Sequence, residues 1–295
     1  MKNRKKVFAS IAPYGYIMPI SLILLTFVVG SIVISLLFSF TKYNILTPPE
    51  WNGFFNYKKM IGDQKLHICI ANTLKIMVMV VPLQVILSTL LATLIASKKN
   101  SLIGKLSKAV IFIPVLSANA IVGTVWKSIL NGRIPAVQTF FSVFGIDPSM
   151  LLGSSVTSII VLAIIIVWKN LGYYMVLSMS SLLNIPESYY EAAKVDGSYR
   201  LHTFFHITLP LLKPTIIMNT FLSIVSSLQA FDIVYTMTGG GPSMSTTTLV
   251  MYAYDLTFKS GKAGYAMAVS NVLFIIVLIA VILQKGFMRR EVSDI

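Results

Sequence analysis

The sequence predicts an all-α, polytopic membrane protein with six transmembrane helices. Hydrophobic residues make up 56% of the 295 residues, charged residues only 12%, and the mean hydropathy is +0.80. Soluble domains carry about 25% charged residues, so the composition excludes a large water-soluble domain. Helices satisfy their backbone hydrogen bonds internally and are therefore the natural spanning element. We expect one transmembrane domain over residues 1–295.

Six stretches have the roughly 20 apolar residues that a spanning helix needs. Basic residues precede the first stretch, but its apolar run is too long for a secretory signal peptide, so we expect a retained first span. The predicted spans lie at residues 12–40, 70–96, 109–130, 155–181, 214–236 and 264–284.

The distribution of basic residues predicts that both termini are cytoplasmic. Cytoplasmic segments carry an excess of Lys and Arg. With the N-terminus inside, 14 of the 24 basic residues lie on the cytoplasmic side: Lys2, Arg4, Lys5, Lys6, Lys98, Lys99, Lys105, Lys108, Lys194, Arg200, Lys213, Lys285, Arg289 and Arg290. The basic residues thus follow the ends of apolar runs, and the net charge of +14 does not indicate nucleic-acid binding.

A polar segment, residues 182–213, separates the fourth and fifth predicted spans. Asn184 followed by Glu187 has the spacing of a capping box, and Pro186 suits the beginning of a helix. Gly197 is the expected C-terminal stop of this helix, since glycine adopts the left-handed conformation readily. A solvated loop with a chance glycine is the alternative interpretation.

A second short helix is expected after Gly197, ending where Pro210 and Pro214 interrupt it. Two short helices with a bend at the glycine would form a compact knob on the cytoplasmic side. Ala192 and Ala193 would allow another backbone to approach this knob closely. The segment is therefore a candidate docking surface for a soluble partner.

Two motifs carry a family resemblance. One motif is Glu191-Ala192-Ala193-x-x-Asp196-Gly197, followed by Phe205-x-Ile207-x-Leu209-Pro210-x-x-x-Pro214, and it resembles the conserved cytoplasmic loop of permease subunits in binding-protein-dependent ABC importers. The other resembles the carbohydrate-uptake branch, related to the maltose and glycerol-phosphate permeases, and reads Phe231-Asp232-x-x-Tyr235-x-Met237-Thr238-Gly239-Gly240-Gly241-Pro242. The stretch Trp168-Lys169-Asn170-x-Gly172 is similar to the same branch.

The resemblance implies the ABC-importer permease (MetI-like) fold in its six-helix form. It also implies a second homologous permease subunit, two ATP-binding subunits that hold ATP and Mg, an extracellular substrate-binding protein and a saccharide substrate. The location would be the bacterial cytoplasmic membrane, in contact with membrane lipid. The residues that would couple to the ATPase are Glu191, Ala192, Ala193, Asp196, Gly197, Leu209 and Pro210.

Polar side chains within spans are costly and tend to face a cavity. For a sugar, which binds by aromatic stacking and by hydrogen bonds to amides and hydroxyls, the candidate pathway residues are Asn119, Lys169, Asn170, Tyr173, Tyr174, Gln229 and Asp232. The alternative is that these residues hold helices together. Lys169 could instead snorkel, and Asp232 could make a structural hydrogen bond near the outer end of its span.

No catalytic residue, metal ligand set or cofactor is expected on this chain. Ser260-Gly261-Lys262 lacks the upstream glycine of a phosphate-binding loop. The spacing of His202 and His206 resembles a fragment of a metal site, but a polar helix face explains it more simply. A secondary transporter acting without an ATPase is the alternative function, although we find neither internal repeats nor paired acidic residues for ion coupling.

Overall fold

The computed structural model describes residue 14, residues 16–98 and residues 101–292. The cytoplasmic positions predicted for the first residues of the chain and for Lys99 lie outside this part. The described helices are α1 (Tyr16–Phe38), α2 (Phe55–Ile61), α3 (Gln64–Ala96), α4 (Leu102–Leu116), α5 (Asn119–Leu130), α6 (Pro135–Ser142), α7 (Pro148–Gly153), α8 (Ser155–Leu183), α9 (Glu187–Val195), α10 (Arg200–Leu228), α11 (Asp232–Met237), α12 (Leu249–Tyr254) and α13 (Ala263–Val292). A two-stranded antiparallel hairpin joins β1 (Thr41–Lys42) to β2 (Glu50–Trp51).

Five of the described helices are long and apolar enough to cross a membrane, and the count becomes six if α4 and α5 form one bent span. The other spans are α1, α3, α8, α10 and the first part of α13, Ala263–Gly286. The all-α membrane fold predicted from the sequence is therefore confirmed. The helices follow from long apolar runs, because a backbone in hydrocarbon must satisfy its own hydrogen bonds.

The third span is not the straight helix predicted over residues 109–130. α4 and α5 meet at an angle of 98°. Ser117 and Ala118 have extended backbone conformations, with ψ of 143° and 139°. The Ser117 amide donates to the Pro114 carbonyl at 3.2 Å, so the helical ladder ends there. The break leaves backbone groups without helical partners within an apolar stretch.

The prediction that Pro210 and Pro214 interrupt the chain after a short helix is wrong. α10 runs continuously through both prolines and contains a π turn at Phe204–Thr208. A proline ring clashes with the carbonyl four residues earlier in a regular α-helix. The wider π turn immediately before Leu209 opens the ladder at the carbonyls that precede Pro210.

The fifth span also ends earlier than predicted. α10 stops at Leu228, and α11 begins at Asp232, so residues 229–231 are not helical. The predicted helix over residues 214–236 is thus two helices. The hydroxyl of Thr248 donates to the Ala230 carbonyl at 2.9 Å and helps to hold this turn.

The described residues form two compact units. One comprises the residues up to Asp63 together with Ala253–Val272, and the other comprises Gln64–Tyr252 together with the residues from Leu273 onward. In the second unit, α3 packs along α8 and α10. One buried cluster there centres on Ile76, Leu162 and Val234, and another contains Ala92, Met175, Met179 and Leu212.

Candidate functional site

Helix α9 is a short, exposed helix that ends in a glycine C-cap. Gly197 has φ of +72°, the left-handed conformation. The Ser198 amide donates to the Ala193 carbonyl at 2.8 Å, and the Gly197 amide donates to the Lys194 carbonyl at 3.1 Å. These two bonds form a Schellman motif. The predicted stop at Gly197 is confirmed.

The predicted capping box at the start of α9 is wrong. Asn184 is the C-cap of α8, and its backbone N–H donates to the Ser181 carbonyl at 3.2 Å. Pro186 occupies the N-cap position of α9 and makes no side-chain capping bond. Asn184 therefore ends α8, although the sequence pattern had assigned it to the beginning of the next helix.

The motif residues on α9 do not all face outward. Glu191, Ala192 and Asp196 are exposed, whereas the Ala193 side chain is buried within this chain. The expectation that both alanines admit another backbone is therefore wrong for Ala193. Among the described motif residues in the following helix, Leu209 is half-buried and Pro210 is exposed.

α9 and the beginning of α10 carry an exposed apolar surface. Val195, Tyr199, Leu201 and Phe205 are each more than half exposed, and Val195 reaches 88%. The Tyr190 hydroxyl lies 3.3 Å from the Thr208 hydroxyl and links the two helices. The hydroxyls of Ser198 and Thr203 lie 3.1 Å apart at the bend. The apolar side chains are thus presented on a braced two-helix support.

The candidate pathway residues on α8 differ in their surroundings. Lys169 is 8% exposed, and within the described part of the chain its ammonium has no hydrogen-bond or ion-pair partner. The Asn170 amide donates to the Ile166 carbonyl of the same helix at 3.0 Å. Tyr173 is exposed, whereas the buried Tyr174 places its hydroxyl 3.2 Å from Ser226 on α10. Among these described residues, only Tyr174 makes an interhelical side-chain hydrogen bond, as expected of a structural residue.

The remaining candidates lie at breaks between helices rather than within spans. Asn119 is the first residue of α5, Gln229 caps the C-terminus of α10, and Asp232 begins α11. All three are exposed. The prediction that Gln229 and Asp232 lie within one span over residues 214–236 is wrong because α10 ends at Leu228.

Helix α3 carries buried polar residues that were not among the candidates predicted from the sequence. Gln84 is 1% exposed, and its side-chain nitrogen has no hydrogen-bond partner among the described residues. Ser88 is fully buried one turn later. The position of Gln84, a polar residue within an apolar run, could have identified this site from the sequence. Elsewhere in the same unit, Asn219 on α10 donates to the Ser178 hydroxyl on α8 at 2.9 Å, an ordinary interhelical bond.

Within the described ranges, no group of three or more His, Cys, Asp and Glu side chains forms a metal site. The imidazoles of His202 and His206 stack with their centroids 3.9 Å apart. His206 Nδ1 lies 3.0 Å from the His202 carbonyl, and His202 Nδ1 lies 3.0 Å from the Ser198 hydroxyl. These bonds orient the two rings on the exposed face of α10.

Comparison with solved structures shows the fold. A chain of a bacterial ABC transporter involved in the import of the acidic polysaccharide alginate superposes with a TM-score of 0.86. The sequence identity is 21%, and the match covers 98% of this chain and 99% of that chain. At this identity the likeness establishes the permease fold alone.

Curated relatives cover most of the chain. The multiple sugar-binding transport system permease protein MsmF of Streptococcus mutans is 32% identical, over 84% of each chain. The probable ABC transporter permease protein YesP of Bacillus subtilis is 32% identical, over 96% of this chain and 93% of that protein. The trehalose/maltose transport system permease protein MalF of Thermococcus litoralis is 29% identical, over 95% of this chain and 96% of that protein.

The family model that matches residues 70–292 describes the binding-protein-dependent transport system inner membrane component. This range contains every candidate coupling and pathway residue discussed above. The relatives are transport permeases rather than enzymes, which agrees with the function expected from the motifs. The chain therefore belongs to the family of binding-protein-dependent transport system inner membrane components.

Proposed function

We propose that this chain is the membrane subunit of an ATP-driven importer that moves a saccharide delivered by an extracellular binding protein. It would lie in the bacterial cytoplasmic membrane with both termini inside, beside a second homologous permease and above two ATP-binding subunits that hold ATP and Mg. The sugar-transport names of the relatives support the substrate class. The observation that carries the coupling role is the exposed, braced helix α9 with its glycine C-cap.

Residues 182–213 would form the coupling loop of a single membrane domain. Their exposed apolar side chains, such as Val195 and Phe205, fit burial in a cleft of an ATP-binding subunit. ATP-driven closure of that subunit pair would move α9, and the Tyr190–Thr208 contact would pass the movement to α10. Such a switch depends on contacts that differ between two states of the assembly.

The pathway proposal rests on polar groups that lack internal partners. Non-helical backbone at membrane depth is tolerated where protein or a water-filled cavity covers it, so the break before Asn119 suits a pathway wall. Lys169 and Gln84 have no hydrogen-bond partner for their side-chain nitrogens within the described residues. Saccharide hydroxyls and water are partners of the right chemistry for these donors.

Uptake into proteoliposomes tests this function against a secondary transporter. We expect radiolabelled saccharide to accumulate only when the binding protein, the partner permease, the ATP-binding subunits and internal ATP are all present. Accumulation driven by an ion gradient, with the ATP-binding subunits omitted, would instead establish the secondary-transport alternative.

Glu191→Lys is expected to lower uptake at least about tenfold, because a reversed charge would be placed in the proposed ATPase contact. A desolvated like-charge or unpaired contact costs several kcal/mol at a protein interface. The matched control is Glu187→Lys, which reverses another exposed charge one turn earlier on α9. Normal ATPase co-purification and normal coupled hydrolysis in Glu191→Lys would exclude this residue from the contact.

Asn170→Ala and Gln229→Ala are each expected to lower uptake severalfold without releasing the ATP-binding subunits. The Asn170 side-chain amide bonds only within its own helix, and Gln229 is exposed, so neither change removes an interhelical side-chain hydrogen bond between described residues. Loss of one hydrogen bond to a substrate corresponds to about 0.5–1.5 kcal/mol. Ser180→Ala, an exposed change on α8, serves as control. Uptake kinetics equal to wild type would remove both residues from the pathway.

A further inference from the structure

An aromatic shelf lies directly beyond the end of α1. We define it as Phe40, Trp51 and Phe54. The Phe40 ring stacks on Trp51 at 5.7 Å and meets the Phe54 ring edge-on at 5.2 Å. The hairpin fixes this arrangement, since Thr41 pairs with Trp51 in the β-ladder and the Asn52 amide donates to the Phe40 carbonyl at 2.9 Å. The three rings are therefore a continuous, pre-formed surface.

The shelf and the residues beside it expose large apolar side chains to solvent. Trp51 is 71% exposed and Phe54 66%, although Phe40 beneath them is half-buried. Leu46 at the hairpin tip and Ile61 at the end of α2 are exposed to a similar or greater degree. A contiguous exposed patch of this kind marks an interaction site with a protein or a membrane.

The position of the shelf favours the membrane. α1 is long and apolar enough to cross a membrane, so its end at Phe38 is expected near a bilayer surface. Phe40 follows the last residue of α1 by two positions, which corresponds to at most about 7 Å of extended chain. The Tyr43 ring contacts Phe38 at 5.0 Å, so an interfacial aromatic pair also marks this end of the helix.

The polar groups around the shelf complete an interfacial pattern. Lys42 and Lys58 are exposed on the same segment and can extend their ammonium groups toward phosphates while their stems stay on apolar surface. Tryptophan and tyrosine are enriched where the bilayer meets water, because their rings are apolar and their polar atoms need partners. This combination directly follows a candidate membrane span, which favours lipid as its partner.

We propose that the shelf inserts among the phospholipid headgroups and glycerol groups at one face of the bilayer, and that it anchors the end of α1 at that depth. The occupant of the apolar patch is lipid rather than a second copy or a soluble protein. This inference requires only that α1 spans a membrane, and it is independent of the substrate and the ATPase proposed above.

Depth-dependent fluorescence quenching tests the proposal. A variant that keeps Trp51 alone, Trp126→Phe with Trp168→Phe, is reconstituted into vesicles of phosphatidylcholine brominated either near the glycerol or near the chain end. We expect shallow bromines to remove about half of the Trp51 emission, deep bromines much less, and aqueous iodide little. The matched control replaces all three tryptophans by Phe and adds Phe27→Trp in the middle of α1, where deep bromines should quench most strongly.

Efficient iodide quenching without bromolipid quenching would place Trp51 in water and overturn the proposal. Protection of Trp51 from both quenchers would indicate that protein covers the side chain, and this result would also overturn the proposal. If the tryptophan variants do not fold, a spin label at Phe54→Cys provides the same comparison, because Cys69 is fully buried. We expect the label at residue 54 to be more accessible to a water-soluble nickel chelate than a label on Phe27→Cys. Its accessibility to oxygen should be intermediate. Oxygen accessibility near zero at residue 54 would contradict lipid contact.

Discussion

Gly197→Val is expected to abolish coupled uptake while leaving substrate capture by the binding protein intact. Gly197 has φ of +72°, and a β-branched residue in the left-handed region is a genuine outlier. An L-residue other than glycine costs roughly 1–2 kcal/mol in this conformation. To relieve this conformational cost, the chain would break the two hydrogen bonds of the Schellman motif. Helix α9 would then lose its fixed direction relative to α10.

The loss would come from conformation rather than from a clash. A Cβ at residue 197 would have no other atom within 4 Å, apart from its chain neighbours. Gly197→Asn is the matched variant, because asparagine tolerates the left-handed region better, and we expect it to retain much of the uptake. Gly145→Val imposes the same strain at another open glycine, with φ of +67°, outside the proposed contact. The proposal fails if Gly197→Val supports uptake as well as Gly197→Asn does.

The end of α9 was predictable from sequence because the determinant is local. A glycine after a short amphipathic helix supplies the left-handed residue that the Schellman motif requires, whatever the tertiary surroundings. The effect of the two prolines in α10 was predicted wrongly. Pro210 and Pro214 disfavour a regular helix, yet α10 continues through both. The π turn at Phe204–Thr208 opens the ladder before Pro210, and no local sequence pattern predicts such a turn.

The bend between α4 and α5 and the end of α10 were not predictable from hydropathy. Pro114, Ser117 and Asn119 are residue types that favour turns, but each is isolated in an apolar run that continues on both sides of the break. The chain also turns after Leu228, where the distant Thr248 hydroxyl donates to the Ala230 carbonyl. Hydropathy registers neither feature, and a contact between residues far apart in sequence helps to hold the second. The inward Ala193 is a third example, since packing selects which of two adjacent alanines faces solvent.

Gly172→Leu is expected to prevent stable folding of the membrane unit, the largest stability effect among these variants. Gly172 on α8 lies against α4, where an added Cβ would meet the Ile111 carbonyl oxygen at 2.5 Å and Phe112 Cα at 2.8 Å. Backbone atoms cannot move aside as a flexible side chain does. Small residues at helix interfaces permit such close approach in membranes. Overpacking costs typically 1–3 kcal/mol even where side chains can adjust.

Thermal unfolding in detergent, followed with a thiol-reactive fluorophore on the buried Cys69, measures this effect. Cys69 lies on α3, in the same compact unit as α8, and is fully buried in the native state. We expect Gly172→Ala to lower the midpoint by several degrees, since about 1 kcal/mol shifts it by 2–4 °C in a chain of this size. Gly172→Leu should label Cys69 already at low temperature. Gly153→Leu is the matched control, because a Cβ there meets nothing within 4 Å. A midpoint for Gly172→Leu equal to that of Gly153→Leu would contradict the close approach of α4 and α8.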